Sequence, residues 1–309
     1  MDRFRELETF VAVADAGSFS AAAGRLRASP PAVTRIISAL EDRLGIRLLN
    51  RTTRRLSLTD AGRRHLEASR RILADLAAAE QETTGEAAAP TGHLTVTGSV
   101  TFGRMALAPV ARAFLAAYPD VTLSLRLYDR VTDLIDEGID AGIRIGDLPD
   151  SSLIARRVGT VRRVLVAAPG YLALRGAPAT PDGLRDHAFI GFTSLMANRE
   201  WRYADAGATR SVGLLPRFEV NDATAAIDAA AAGDGITLAL SYMVAQAVRA
   251  GRLVPVLDGF APPDIPVHVV FPQSRLIAPK IRAFVDFAAP LLAARLQALD
   301  VPRRAPAAG

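Results

Sequence analysis

SPPAVTRIISALEDRL, residues 29–44, is the stretch whose reading decides the rest. Ser29 is a good N-cap, and Pro30 and Pro31 suit a first helical turn, where a missing amide hydrogen leaves nothing unpaired. From Val33 onward the apolar residues fall at Val33, Ile36, Ile37, Leu40 and Leu44, the spacing of one buried helical stripe. Thr34, Arg35, Ser38 and Arg43 occupy the opposite face. Taken alone, this is an amphipathic helix with a solvated polar side. Its neighbours give it a purpose. Phe4, Leu7, Phe10, Val11 and Ala14 predict an earlier helix ending near Gly17, and Ser18 caps a second one whose buried side is Phe19, Ala22, Ala23 and Leu26. Only Arg27 and Ala28 separate that helix from the one over 29–44, so the pair forms a tight helix-turn-helix with the third helix in the recognition position.

Past Gly45 the period becomes strand-like. Ile46, Leu48 and Leu49 face Leu56 and Leu58 across Arg51-Thr52-Thr53-Arg54-Arg55, which reads as a two-stranded wing with arginines and hydroxyls at its tip. Thr59 then caps a long helix running to about residue 81, with Leu66, Ile72, Leu73, Leu76 and Ala79 on one stripe. No core lies within sequence reach of that stripe, so it is expected to pack on a second copy of the chain. Charge agrees with the motif. Residues 25–64 hold ten arginines against Glu41, Asp42 and Asp60, a local net charge of +7, whereas the 309-residue chain totals +5. Concentrated positive charge is the footprint of a phosphate-binding surface.

The chain has no cysteine, which removes disulfides, thiolate metal sites and cysteine nucleophiles, and suits a reducing compartment. Residues 1–10 are charged where a signal peptide needs an apolar run, and no stretch reaches the roughly 18 to 20 unbroken apolar residues of a membrane span. A cytoplasmic protein with no membrane partner is expected. After an Ala-Pro-Thr-Gly linker at residues 87–92, strand-like runs alternate with helical ones: 93–98 then 102–118, 121–128 then 132–137, 141–145, 163–168, 189–193, 212–220 then 222–232, 236–240 then 242–250, 253–257, and 267–271 then 279–299. That alternation predicts α/β with largely parallel sheets. The tail from 301 to 309 is expected to fray.

Catalytic signals are missing. His65, His93, His187 and His268 stand alone, with no H-E-x-x-H spacing, and there is no G-x-S-x-G, Walker loop or G-x-G-x-x-G. Asp136, Glu137 and Asp140 read as solvated charges. No metal, no cofactor and no catalytic residue are expected. Three strand-to-helix corners offer amides and hydroxyls instead: Ser99, Val100, Thr101 and Phe102; Phe192, Thr193 and Ser194; Asn221 and Asp222. Each serves as a helix cap or as a ligand corner.

The order of residues over 4–65 resembles the N-terminal domain of the LysR-type transcriptional regulators. The likeness rests on Phe10, Gly17-Ser18-Phe19, Ala22-Ala23, Leu26, Pro31-Ala32-Val33, Leu40-Glu41, Leu44-Gly45, the 48–51 approach to the wing, and Leu58-Thr59 before Gly62. It continues more weakly over the rest of the chain. It implies a winged helix-turn-helix over 1–59, a linker helix and hinge over 60–91, and an effector-binding domain over 92–309. That domain would be a two-lobed, Rossmann-like fold of the periplasmic-binding-protein type II kind, with lobe 1 at about 92–162 and 266–300 and lobe 2 at about 163–265. The resemblance also implies promoter DNA as partner, a homodimer through the linker helix, a dimer of dimers, and contact with RNA polymerase. Ser29, Pro31, Ala32, Thr34, Arg35, Ser38, Arg51, Thr53, Arg54 and Arg55 would then face DNA. Ser99, Val100, Thr101, Phe102, Ile145, Gly146, Phe192, Thr193 and Asn221 would line a cleft for a small-molecule effector. Pro30 and Ile36 stand where many relatives carry glutamine, which leaves Thr34, Arg35 and DNA shape to carry more of the base choice. The rival reading is an α/β enzyme fused to a DNA-binding module. A solute-sensing module with a protein partner fits less well, because the N-terminal region is basic.

The charge of the wing generates a test. Arg54→Ala should weaken binding to all DNA sequences alike and lower the slope of log affinity against log salt by about one, the share of a single phosphate contact. Titration by fluorescence anisotropy at several salt concentrations checks it, and an unchanged slope with altered site preference would make Arg54 a base reader.

Overall fold

The computed structural model describes residues 2–51, 56–84, 90–148, 153–196, 198–273 and 277–303. The chain divides into two compact units, residues 1–92 with 274–280, and residues 93–273 with 281–309.

In the first unit, α1 (Arg3–Ala16) starts at Asp2, whose carboxylate accepts from the Phe4 amide, and stops at Gly17 in the left-handed region with φ 62°. Ser18 caps α2 (Phe19–Arg25) through the Ala21 amide. Arg27 takes φ 50° in the turn, where the Ala28 amide reaches the Ala23 carbonyl at 3.0 Å. Then comes α3 (Pro30–Leu44). Ser29 sits at its N-cap position, yet its side chain makes no cap hydrogen bond, contrary to expectation. The two prolines explain this: they carry no amide hydrogen, and the next two amides, of Ala32 and Val33, bond the Ser29 carbonyl at 3.0 and 3.1 Å. Val33, Ile37 and Leu40 are buried with Phe10, Val13, Ala22 and Ala23, while Ile36 is half-buried and Leu44 leaves the core.

Strands β1 (Leu49–Arg51) and β2 (Leu56–Leu58) pair antiparallel, with Leu49 opposite Leu58. Ile46, expected on the wing, precedes β1 and is exposed. The tip residues 52–55 lie outside the described residues. Helix α4 (Asp60–Thr84) runs three residues past its expected end. Its first turns pack on the chain's own α1, so the expectation that no core within the chain reaches the stripe fails there: Leu66 and Ser69 are buried, and the His65 and Phe10 rings lie 5.3 Å apart. Farther along, Ile72 is exposed.

The second unit opens with β3 (Gly92–Gly98). Helix α5 (Val100–Phe102) passes through a π-helical turn, Gly103–Leu107, into α6 (Ala108–Ala117). This run is apolar and long enough to cross a membrane by length and composition. Its Phe102, Ala106, Leu107, Val110 and Phe114 are buried inside the unit, which accounts for that composition. There follow β4 (Val121–Leu127), β5 (Ala141–Ile145), β6 (Leu153–Val161), β7 (Arg163–Ala167), α7 (Pro169–Arg175), β8 (Phe189–Phe192), β9 (Glu200–Asp205), β10 (Ala208–Gly213) and β11 (Phe218–Val220). The chain ends with α8 (Ala223–Ala232), β12 (Ile236–Leu240), α9 (Ser241–Arg249), β13 (Val254–Val256), β14 (Ile265–Pro272) and α10 (Pro279–Ala298).

These strands make two five-stranded sheets, ordered β4-β3-β5-β14-β6 and β11-β8-β12-β7-β13. Each sheet belongs to one lobe. The chain leaves the first at Val161, enters the second at Arg163, and returns at Ile265. The sheets are mixed and not largely parallel: β14 is antiparallel to β5 and β6, and β7 is antiparallel to β12 and β13. Three of these strands, β6, β7 and β14, abut the crossovers between the lobes. Two other expectations fail locally. Residues 132–137 form a turn and not a helix, with the Asp133 carboxylate accepting from the Ile135 and Asp136 amides at 2.8 and 3.0 Å. Residues 212–220 are split, because β10 pairs with β9 as a separate hairpin and Pro216 stands before β11. Val301 is 1 % exposed in the core of the second lobe, so the expected fraying does not begin at 301.

Burial, with Arg43 nearby, holds the His65 imidazole below its ordinary value of 6.5. The unfolded chain therefore binds a proton that the folded chain resists. Stability from this group is complete above pH 6.5 and is lost as pH falls below it. Urea unfolding at pH 7.5 and 5.5 should show wild type losing more stability on acidification than His65→Gln; equal losses would refute the assignment.

Candidate functional site

The exposed face of α3 carries the residues that sequence reading nominated for DNA. Arg35 and Pro31 are exposed, and Ala32, Thr34 and Ser38 are half-buried. Ser29 is exposed, and its hydroxyl, unused as a cap, is left to solvent chemistry. The Thr34 hydroxyl donates to the Pro30 carbonyl at 3.0 Å, so toward a base it offers its methyl and its acceptor lone pairs. Arg51 ends β1, while Thr53, Arg54 and Arg55 lie outside the described residues.

Not all the local arginines face outward to phosphate. Arg43 donates from Nε and Nη2 to one oxygen of Glu6, at 3.1 and 2.6 Å, and the Glu6 side chain is only 4 % exposed. An exposed ion pair contributes about 0–1 kcal/mol, but stranding a buried carboxylate costs about 3–5 kcal/mol, so this pair is an anchor for the end of α3. Arg63 is held by Asp60 and by the Leu58 carbonyl. Arg25, Arg27, Arg35, Arg47 and Arg64 remain exposed.

The wing is aimed by backbone bonds that converge on Leu48. Glu41 of α3 accepts the Leu48 and Leu49 amides at 2.8 and 3.0 Å. The Leu48 carbonyl takes the Thr59 amide at 2.9 Å and its hydroxyl at 3.2 Å, while Thr59 Oγ1 caps α4 through the Gly62 amide at 2.9 Å. A Cβ on Gly62 would sit 2.0 Å from the Leu48 oxygen, so only glycine lets α4 approach the strand this closely.

In the second unit the corner after β3 meets the other lobe. Phe102 is fully buried, and its ring stacks edge-on against Tyr242, at the start of α9, with centroids 5.3 Å apart. Arg104 of the π-helical turn donates to the Thr224 hydroxyl of α8 at 3.0 Å. Thr101 is buried and Val100 exposed. The Val100 amide is taken by the Asp129 carboxylate at 3.0 Å, while Ser99 makes no cap bond. The Ser99 and Tyr242 hydroxyls are both buried and close to each other, without a well-formed hydrogen bond between them. Burial pushes the Tyr242 phenol above its ordinary range, with Ser99 and Asp129 close enough to act on it.

The remaining nominated residues are placed differently. Phe192 is buried with Ala223 and Val244 in the core beside the second sheet, and the Thr193 amide is used by the Val220 carbonyl at 3.0 Å. Asn221 is exposed next to Asp222, which caps α8 through the Ala225 amide at 2.8 Å. Ile145 and Gly146 are half-buried, and the Gly146 amide reaches the Pro266 carbonyl at 2.9 Å, beside the return crossover. Asp129, Arg104, Thr224 and Tyr242 were not nominated from the sequence. Tyr242 is the second residue of the helix that directly follows β12, the same kind of strand-to-helix corner that flagged Ser99, so that rule would have found it. Among the described residues no three His, Cys, Asp or Glu side chains are grouped to hold a metal ion.

Comparison with known proteins agrees with both halves. Residues 4–63 match the profile of the bacterial regulatory helix-turn-helix protein, lysR family, and residues 87–293 match the LysR substrate binding domain. An HTH-type transcriptional repressor of Pseudomonas aeruginosa is 38% identical over 297 residues, covering 95% of this chain and 93% of its own. The HTH-type transcriptional regulator CrgA of Neisseria meningitidis is 34% identical over 283 residues, covering 91% and 94%. The solved structure of CrgA matches with a TM-score of 0.60 over 93% of this chain and 98% of that one, at 34% identity. Full-length AphB, a virulence activator of Vibrio cholerae, matches with a TM-score of 0.59 over 93% and 98%, at 30% identity. With a winged helix-turn-helix in one unit, two sheeted lobes in the other and both profiles matched in order, the chain belongs to the LysR family of transcriptional regulators.

Proposed function

We propose that α3 presents Arg35, Ser38, Thr34 and Ser29 to the major groove of an operator while the wing arginines hold the flanking backbone, and that an effector acts at the lobe junction around Ser99, Thr101 and Tyr242. The wider function follows from the family: this is a DNA-binding transcriptional regulator with an effector-responsive domain, and not an enzyme. Regulators of this family bind promoter DNA and form oligomers.

The DNA reading is carried by the exposed polar face of α3, which keeps Arg35 in solvent while Glu6 draws Arg43 aside. Phosphate contacts supply most of the affinity and its salt dependence, and the few base contacts choose the site. Two copies joined through α4 would set two recognition helices on a two-fold site, and two such dimers would make the tetramer that bends DNA. Contact with RNA polymerase and a cytoplasmic location belong to the same reading. No cofactor enters it.

The effector reading is favoured by the Ser99 and Tyr242 hydroxyls. Two buried hydroxyls that meet without a well-formed hydrogen bond are costly, and a ligand that bonds both would lower that cost while joining the lobes. Gel retardation of the promoter DNA beside the protein's own gene tests the first half, and a thermal-shift screen of metabolites tests the second. For a compound found there, Thr101→Ala should weaken binding about tenfold or more, the worth of one lost hydrogen bond, with Thr101→Ser close to wild type and operator affinity kept. Equal loss of ligand and operator binding would indicate misfolding and refute the role.

A further inference from the structure

We infer that Arg162 is the positioning residue of the inter-lobe hinge, and that residues 300–303 form a third connection between the lobes, clasped on its guanidinium. The inference rests on the reading that an effector acts by rearranging the lobes.

Arg162 is the residue between β6 of the first sheet and β7 of the second, and it is 3 % exposed. Its backbone is fixed to the second lobe: its amide donates to Ser241 Oγ at 3.2 Å, and its carbonyl accepts the Ser241 amide at 2.8 Å. Its side chain gathers acceptors from two other places in the chain. Nη1 lies 3.5 Å from Asp258, which leads into the return crossover, while Nη2 donates to the Val301 carbonyl and Nε lies 3.7 Å from Asp300.

Asp300 and Val301 come from beyond α10, whose body belongs to the first lobe. The Phe284 ring of α10 stands 5.2 Å from Phe114, and Arg295 donates to the Met105 carbonyl at 3.3 Å. After Ala298 the chain changes lobes. Val301 enters the core beside the second sheet, with Val164 and Leu253. Arg249, at the end of α9, takes the Ala298 carbonyl and lies 3.5 Å from that of Asp300. Arg303 pairs with Asp264 at 2.7 Å, at the residue before β14. Both crossovers are thus tied to the same short segment.

Two crossing strands alone permit rotation of one lobe against the other. A third segment, bonded to the buried guanidinium of the first crossover and through Arg303 to the residue before the second, resists it, because rotation of α10 with the first lobe must draw Val301 out of the second-lobe core and away from Arg162. The Val301 carbonyl and, at 3.5 Å, Asp258 accept from this guanidinium among the described residues, while Asp300 adds its charge at 3.7 Å without a hydrogen bond to Nε.

The test uses the full chain, whose lack of cysteine allows Ala116→Cys on α6 and Gln246→Cys on α9 to carry spin labels, one per lobe. Labelled chains are diluted with unlabelled ones so that only distances within a chain are read. The clasped protein should give one narrow distance distribution, and Arg162→Met should broaden it about twofold or more. Should Arg162→Met fail to fold, the double variant Asp300→Ala with Arg303→Ala alters exposed side chains and should broaden it in the same direction. An unchanged distribution in a folded variant overturns the clasp and leaves the effector reading standing. A broadened one upholds it, even if no screened compound binds the cleft, a result that would count against the effector reading alone.

Discussion

One residue, Leu48, ties the recognition helix, the wing and α4 together. Its amide is held by Glu41 from the recognition helix, its carbonyl by Thr59 at the head of α4, and the same carbonyl crowds Gly62. The side chain, 1 % exposed, seals the small core. The wing has only three residues in each described strand, too few to hold an orientation through its own ladder. Its direction is therefore borrowed from α3 and α4, and a shift of either helix is transmitted to the wing. With Glu6 holding Arg43 and Glu41 holding the Leu48 and Leu49 amides, carboxylates fasten the last turn of the recognition helix to α1 on one side and to the wing on the other.

Much of this was legible in the sequence because short-range rules generate it. The stripe through Val33, Ile37 and Leu40 follows from helical period, and Thr59 and Asp222 cap their helices as residue type predicts. What escaped has physical reasons. The β9–β10 hairpin turns on Ala206 and Gly207, both with positive φ, and alanine hides a turn that asparagine would have announced. Strand β6 carries Arg156 and Arg157 on exposed positions, which broke its apolar run. Ser29 has the residue type and position of an N-cap, yet two prolines remove the donors it would have served.

The candidate cleft was only half legible. Sequence order pointed to the corner at Ser99 but could not say which hydroxyl would face it, since that depends on what another lobe brings. Phe192, nominated by the same corner rule, went to packing. Arginine counting also overstated the phosphate-facing charge. Arg43 and Arg63 lie inside the basic block, but carboxylates hold them, one from Glu6 outside it. Clustering locates a binding surface; tertiary partners decide which charges belong to it.

The return of the chain to each lobe has a consequence for synthesis. The core of the DNA-binding motif is drawn from residues 10 to 66, a contiguous stretch that can condense early. The first sheet lacks two of its neighbouring pairings until β14 is made, and the second lobe lacks part of its core until Val301 is made. A growing chain thus acquires the means to hold DNA some 200 residues before it can finish the sensing half. At the ribosome, grip precedes control.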